Sequence, residues 1–120
     1  MKSQIKINDR DYMLDEFITE IIEIKAHVIF LTEVTGDSEP RNIYGINKET
    51  GEMWQVGDMW DIPNFRRDCP DIKPHDVDNI YIGIDKEGED IIGTDVSGRS
   101  ILIDISTGKP KAIYFYGRPW

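Results

Sequence analysis

The chain has 120 residues, with 23 acidic and 14 basic side chains, a formal net charge of −9 and 39% hydrophobic residues. That length suits one domain able to bury about two-thirds of its unfolded surface, and the composition excludes a disordered chain. The charge excludes nucleic acid and anionic membrane as direct partners, because their phosphates would be repelled, and it suits a basic protein partner, whose approach it would steer.

The charge is uneven along the chain. Residues 1–95 carry 22 acids against 10 bases, a balance of −12, whereas residues 96–120 carry Asp104 against Arg99, Lys109, Lys111 and Arg118, a balance of +3. The longest apolar run, residues 28–31, is four residues, far short of the roughly twenty that span a bilayer. No basic stretch followed by an apolar core marks a secretion signal. The single cysteine, Cys69, has no internal disulfide partner. Together these predict a cytoplasmic protein.

In chain order, Gln4-Ile5-Lys6-Ile7 alternates polar and apolar and predicts a first strand, with Asn8-Asp9-Arg10-Asp11 as its turn and Tyr12-Met13-Leu14 as its return. Between Phe17 and Val34 two signals compete. Asp15-Glu16 resembles a helix start, and Phe17, Ile18, Ile21, Ile22 and Lys25 have helical spacing. Against this, Ile18, Ile22, Ile24, Ala26, Val28 and Phe30 form an alternating apolar face broken by Glu20, and the density of β-branched residues favours strand. Two strands are predicted, near Ile18–Ile24 and residues 28–33, turning at Lys25-Ala26-His27. A helix over residues 15–24 is the alternative. Residues 35–40 read as a loop.

Residues 42–56, NIYGINKETGEMWQV, organise the chain. Ile43 and Tyr44, then Met53, Trp54 and Val56, suit a pleated surface, and Lys48-Glu49-Thr50-Gly51 places a glycine where a tight turn needs positive φ. The same grammar returns at residues 79–94 and 100–116. Asp104-Ile105-Ser106-Thr107-Gly108-Lys109 repeats the turn, and Gly88 and Gly98 close shorter ones. The pattern of Tyr44, Ile46, Asn47, Thr50, Gly51 and Trp54 resembles the strand pairs in blades of quinoprotein-type β-propellers, with a second copy at residues 102–114 that lacks the Trp. Such propellers use about four to eight blades of four strands, so neither the ring nor the quinone cofactor is implied for this chain, and no cofactor is expected. The chain is also similar to small uncharacterised bacterial proteins with an N-I-Y…W-Q hairpin followed by a Y-x-G-I-D…D-I-S-T-G-K half.

Residues 57–78, GDMWDIPNFRRDCPDIKPHDVD, form the one irregular segment. Pro63, Pro70 and Pro74 forbid a central strand or continuous helix, and a connection this long is usually functional. Asp58, Asp61, Asp68, Asp71, His75, Asp76 and Asp78 offer metal-type ligands, but their spacing matches no ordered metal loop and suits solvated turn-formers better. Cys69 near His75 lacks a recognisable oxyanion hole and reads as packing. His27 reads as a cross-strand neighbour rather than a base. Hydrolase, phosphate-loop and dinucleotide motifs are missing, so no catalytic residue is assigned.

The expected fold is a single all-β domain over residues 1–120, an antiparallel meander of about eight to ten short strands, sandwich-like or half-propeller-like. Core packing accounts for most aromatics, while Trp60, Phe65, Arg66 and Arg67 are expected outside the core. The predicted function is non-enzymatic protein binding, most concretely an acidic immunity-type inhibitor of a basic toxin or nuclease. Its predicted partner-binding residues are Trp60, Asp61, Phe65, Arg66, Arg67, Asp68 and Asp71. The alternatives are a small-molecule or carbohydrate-binding β-module using Trp60 and Phe65, and a metal-dependent hydrolase.

Overall fold

The computed structural model describes residues 3–14, 16–35, 40–63 and 78–114. Ten strands follow one another: β1 Ser3–Ile7, β2 Arg10–Leu14, β3 Ile18–Ile24, β4 His27–Thr32, β5 Ile43–Asn47, β6 Met53–Gln55, β7 Tyr81–Glu87, β8 Asp90–Asp95, β9 Ser100–Ile103 and β10 Pro110–Tyr114. The helical content among the described residues is a single 3-10 turn, Met59–Asp61. Every pairing is antiparallel. The strands form a hairpin, β1-β2, and two open four-stranded meanders, β3-β4-β5-β6 and β7-β8-β9-β10. The all-β expectation is met. Instead of one continuous sheet folding over itself, the chain builds three separate sheets.

The helical alternative over residues 15–24 is overturned. Ile18–Ile24 is strand β3, paired with β4 through a two-residue turn at Lys25-Ala26. Lys25 takes a positive φ of 53° there, which is why no glycine or proline flags the turn. β4, HVIFLT, is buried along its whole length. Its odd-numbered Ile29 and Leu31 join the larger core, and its even-numbered Val28 and Phe30 join a second one. A strand covered on both faces needs apolar residues at consecutive positions, not alternation.

Three layers explain this. The β1-β2 hairpin lays Ile7 and Leu14 over Val28, Phe30 and Ile46 on one face of the first sheet. The other face packs against the second sheet through Ile24, Ile29, Leu31 and Ile43 on one side and Ile91, Ile101, Ile103 and Ile105 on the other. The hairpin turn, Asn8-Asp9, has φ of 49° and 64°, the two left-handed positions that Asn and Asp tolerate best after glycine.

The two meanders are one plan used twice. β3 and β7 each carry a bulge at the matching place: pairing slips between Ile18↔Thr32 and Glu20↔Leu31 in the first sheet, and between Tyr81↔Asp95 and Gly83↔Thr94 in the second. The turns that follow β5 and β9 share a hydrogen-bond scheme. Asn47 Oδ1 accepts from Glu49 N at 2.9 Å and Thr50 N at 3.1 Å, and Thr50 Oγ1 accepts from Glu52 N at 3.2 Å. Asp104 Oδ1 accepts from Ser106 N at 2.7 Å and Thr107 N at 3.2 Å, and Thr107 Oγ1 from Lys109 N at 3.2 Å. Gly51 and Gly108 close the turns at φ 78° and 76°.

Candidate functional site

The turns at the ends of β3, β5, β7 and β9 gather at one end of the molecule. Lys48 N donates to the Ala26 carbonyl at 2.7 Å, Asn8 Nδ2 to the Lys48 carbonyl at 2.6 Å, and Lys25 pairs with Glu89 across the two sheets. This rim of turns is the candidate site.

Trp54, on β6, positions the second turn. Its indole Nε1 donates to the Ile105 carbonyl at 2.8 Å, and its ring lies against Gly45 and Gly108 so closely that a side chain at either would collide with it. Gly57 N completes the clamp by donating to the Gly108 carbonyl at 3.0 Å. The first turn is held from outside instead. Arg10 donates to the Thr50 carbonyl at 3.0 Å, and the Tyr12 hydroxyl lies 3.5 Å from the Gly51 carbonyl.

Two concavities flank the second turn. One, of about 280 Å³, is lined by Lys25, Ala26, His27, Glu89, Asp90, Asp104, Ile105 and Ser106. The other, of about 770 Å³, is lined by Gly57, Asp61, Pro63, Asp104, Thr107, Lys109, Pro110 and Lys111. Asp104 borders both. In the smaller one, Lys25 holds Glu89, whose carboxyl it keeps below the ordinary glutamate range by hydrogen bonding and charge. Lys111 pairs with Asp90 at 2.6 Å, and that hydrogen bond raises its ammonium above the ordinary lysine range. His27 is 9% exposed and its Nδ1 makes no hydrogen bond.

The sequence-predicted site residues divide. Trp60 and Asp61 lie on the 3-10 turn, whose start is capped by Asp58 Oδ1 accepting from Trp60 N at 2.8 Å. Asp58 in turn accepts from Asn79 Nδ2, and Asn79 Oδ1 accepts from Met59 N at 2.8 Å. That double clamp drives Met59 and Ile62 into the core. Trp60, expected outside the core, is half-buried and packs against it; residues 57–63 are thus part of the framework rather than irregular. Asp61 is exposed and lines the larger concavity. Phe65, Arg66, Arg67, Asp68 and Asp71 lie outside the described residues, as do Cys69, His75 and Asp76. Among the described residues, no group of three His, Cys, Asp or Glu side chains could hold a metal, and no helix is long and apolar enough to cross a membrane.

Sequence reasoning missed His27 and Asp104 as wall residues of one cavity, because strand order alone does not say which turns meet. It also missed the buried amides of Asn42 and Asn79. Their signal was the repeated Asn-Ile-Tyr at residues 42–44 and 79–81.

With the geometry in place, comparison with known families gives one match: a domain of unknown function, DUF7957, covers residues 1–115. The chain belongs to the DUF7957 family. No curated protein and no solved structure matches it. Nothing in the DUF7957 match points to catalysis or links the chain to quinoprotein propellers, so the blade resemblance stays a likeness of hairpins.

Proposed function

We propose that this DUF7957 chain is a non-enzymatic binding protein for a basic protein partner, most concretely an acidic immunity-type inhibitor that masks a toxin or nuclease. The carrying observation is the use of charge at the surface. Lys25, Lys48, Arg99 and Lys111 are engaged with Glu89, Glu23, Asp95 and Asp90. Exposed Asp9, Asp11, Glu33, Glu49, Glu52, Asp61, Asp78, Asp85 and Glu87 take part in no ion pair among the described residues. A rigid three-layer scaffold with a net charge of −9 favours fast, salt-dependent encounter with a positive surface.

The test is capture on the immobilised chain across a salt series. A basic protein retained at low ionic strength and released as salt rises supports the proposal, and protection of cells from a cognate toxin by co-expression supports its immunity form. Absence of any partner, or capture indifferent to ionic strength, overturns it. The larger concavity favours a second reading, because about 770 Å³ falls within the range of small-molecule sites. Thermal stabilisation by a sugar or metabolite that is lost in Asp61→Ala would support that reading.

A further inference from the structure

The smaller concavity carries an inference of its own. His27 sits at the end of β4, paired with Ile24 and Asn47, and its ring is sealed from solvent at 9% exposure with Nδ1 unpartnered. A ring nitrogen without a proton is a hydrogen-bond acceptor, and a buried acceptor without a donor is costly. The same cavity has three carboxylates on its walls, Glu89, Asp90 and Asp104. Lys25 occupies the first and Lys111 the second. Asp104 forms no ion pair among the described residues, and its recorded bonds are from the backbone N–H groups of Ser106 and Thr107 to Oδ1 alone.

The cavity therefore offers two acceptors of different kinds, an imidazole nitrogen and a carboxylate, in an acidic setting partly closed to water. The complement is a cation with several N–H donors in a fixed plane. A guanidinium has that shape, is more weakly hydrated than an ammonium, and loses less on entering such a site. We propose that this cavity binds a guanidinium group, with His27 Nδ1 and the Asp104 carboxylate as its acceptors. The group could be carried by a small arginine-like molecule or by an arginine of a protein partner. The proposal leans on the partner reading above only for which of these supplies it.

The fold supplies its own control. Asn47 holds the first turn with the bonds that Asp104 makes in the second, so Asp104→Asn keeps the turn and removes only the charge. The experiment titrates the full chain with N-acetyl-arginine amide, followed by calorimetry and by the 15N resonances of the His27 ring. N-acetyl-citrulline amide, neutral and nearly the same shape, runs in parallel. Saturable binding of the arginine amide that shifts Nδ1, with at least tenfold weaker binding of the citrulline amide and to Asp104→Asn at an unchanged thermal midpoint, is the expected result. Asn47→Asp, remote from the cavity lining, leaves binding as it was. No saturable binding, equal binding of the citrulline compound, or an Asp104→Asn variant with full affinity overturns the proposal. An arginine-containing peptide that binds more tightly than the amide assigns the guanidinium to a protein; equal affinities assign it to a small molecule. Salt-insensitive capture in the earlier test would sink the partner reading and leave this titration intact.

Discussion

The two four-stranded sheets share strand order, a bulge in the first strand and an Asx-type turn after the third, yet they differ in what covers them. The first sheet lies between the N-terminal hairpin and the second sheet, and the second packs on one described layer. The polar seam where the second strand of each sheet passes to the third differs accordingly. In the first sheet Asn42, 1% exposed, donates through Nδ2 to the Thr32 and Tyr81 carbonyls at 2.6 and 2.9 Å, and its Oδ1 accepts from Tyr81 N at 2.8 Å. A neutral amide thus ties both sheets together. In the second, at the position matching Thr32, Asp95 is 1% exposed and pairs with Arg99 Nε at 2.8 Å. Local turn grammar is set by a few residues, whereas the chemistry of a matched position follows from its neighbours.

Breaking that ion pair gives the largest expected effect. Arg99→Ala leaves the Asp95 carboxylate buried beside an apolar core, a loss of about 3–5 kcal/mol measurable by urea unfolding. Asn42→Ala strands only neutral groups, so its cost is expected to be smaller, about 2–3 kcal/mol. Equal costs at the two positions would show that the seams are not energetically distinct.

The turns sharpen the comparison one step lower. Gly51 and Gly108 have nearly the same positive φ, so alanine pays a similar left-handed penalty of about 1–2 kcal/mol at each. Their surroundings differ. A Cβ at 51 meets the mobile end of Arg10, which can swing away, while a Cβ at 108 meets the Trp54 ring, which its bond to Ile105 fixes. Gly108→Ala should therefore cost about 1–3 kcal/mol more than Gly51→Ala, the price of overpacking, as read from thermal midpoints of the two variants.

How much of this was legible follows from the range of each signal. Glycine-closed turns, the strand alternation of residues 4–7 and the pairing of Ile18–Ile24 with the next strand are local, and the residues stated them. The matching of Asn47 with Asp104 could also be read, because both precede Thr-Gly by the same interval. The repeated Asn-Ile-Tyr misleads on the repeat itself: residues 42–44 enter the third strand of one sheet and residues 79–81 the first of the other. What stayed hidden is long-range. Nothing near His27 in sequence announces that turns 62 and 77 residues further along, at Glu89 and Asp104, close over it. Likewise, Trp54 reads as a hairpin aromatic until its ring is seen against Gly108.

The smallest expected effect tests a matched pair at the bulges. Ile18 occupies this place in the first sheet and Tyr81 in the second, where its hydroxyl is buried without a hydrogen-bond partner. Burial first, then the charges of Asp95 and Asp58, raise that hydroxyl above the ordinary tyrosine range. Below pH of about 10 the hydroxyl is protonated in folded and unfolded chains alike, so Tyr81→Phe removes only an unsatisfied polar atom and should leave stability within about 1 kcal/mol, on the favourable side. Above that pH the unfolded chain gives up the proton while the folded one keeps it, and stability falls as pH rises. Urea midpoints between pH 8 and pH 11 should decline more steeply in the parent than in Tyr81→Phe. Parallel declines would mean that the hydroxyl finds a partner or reaches water in the folded state, and the second sheet would then be as fully satisfied at its bulge as the first.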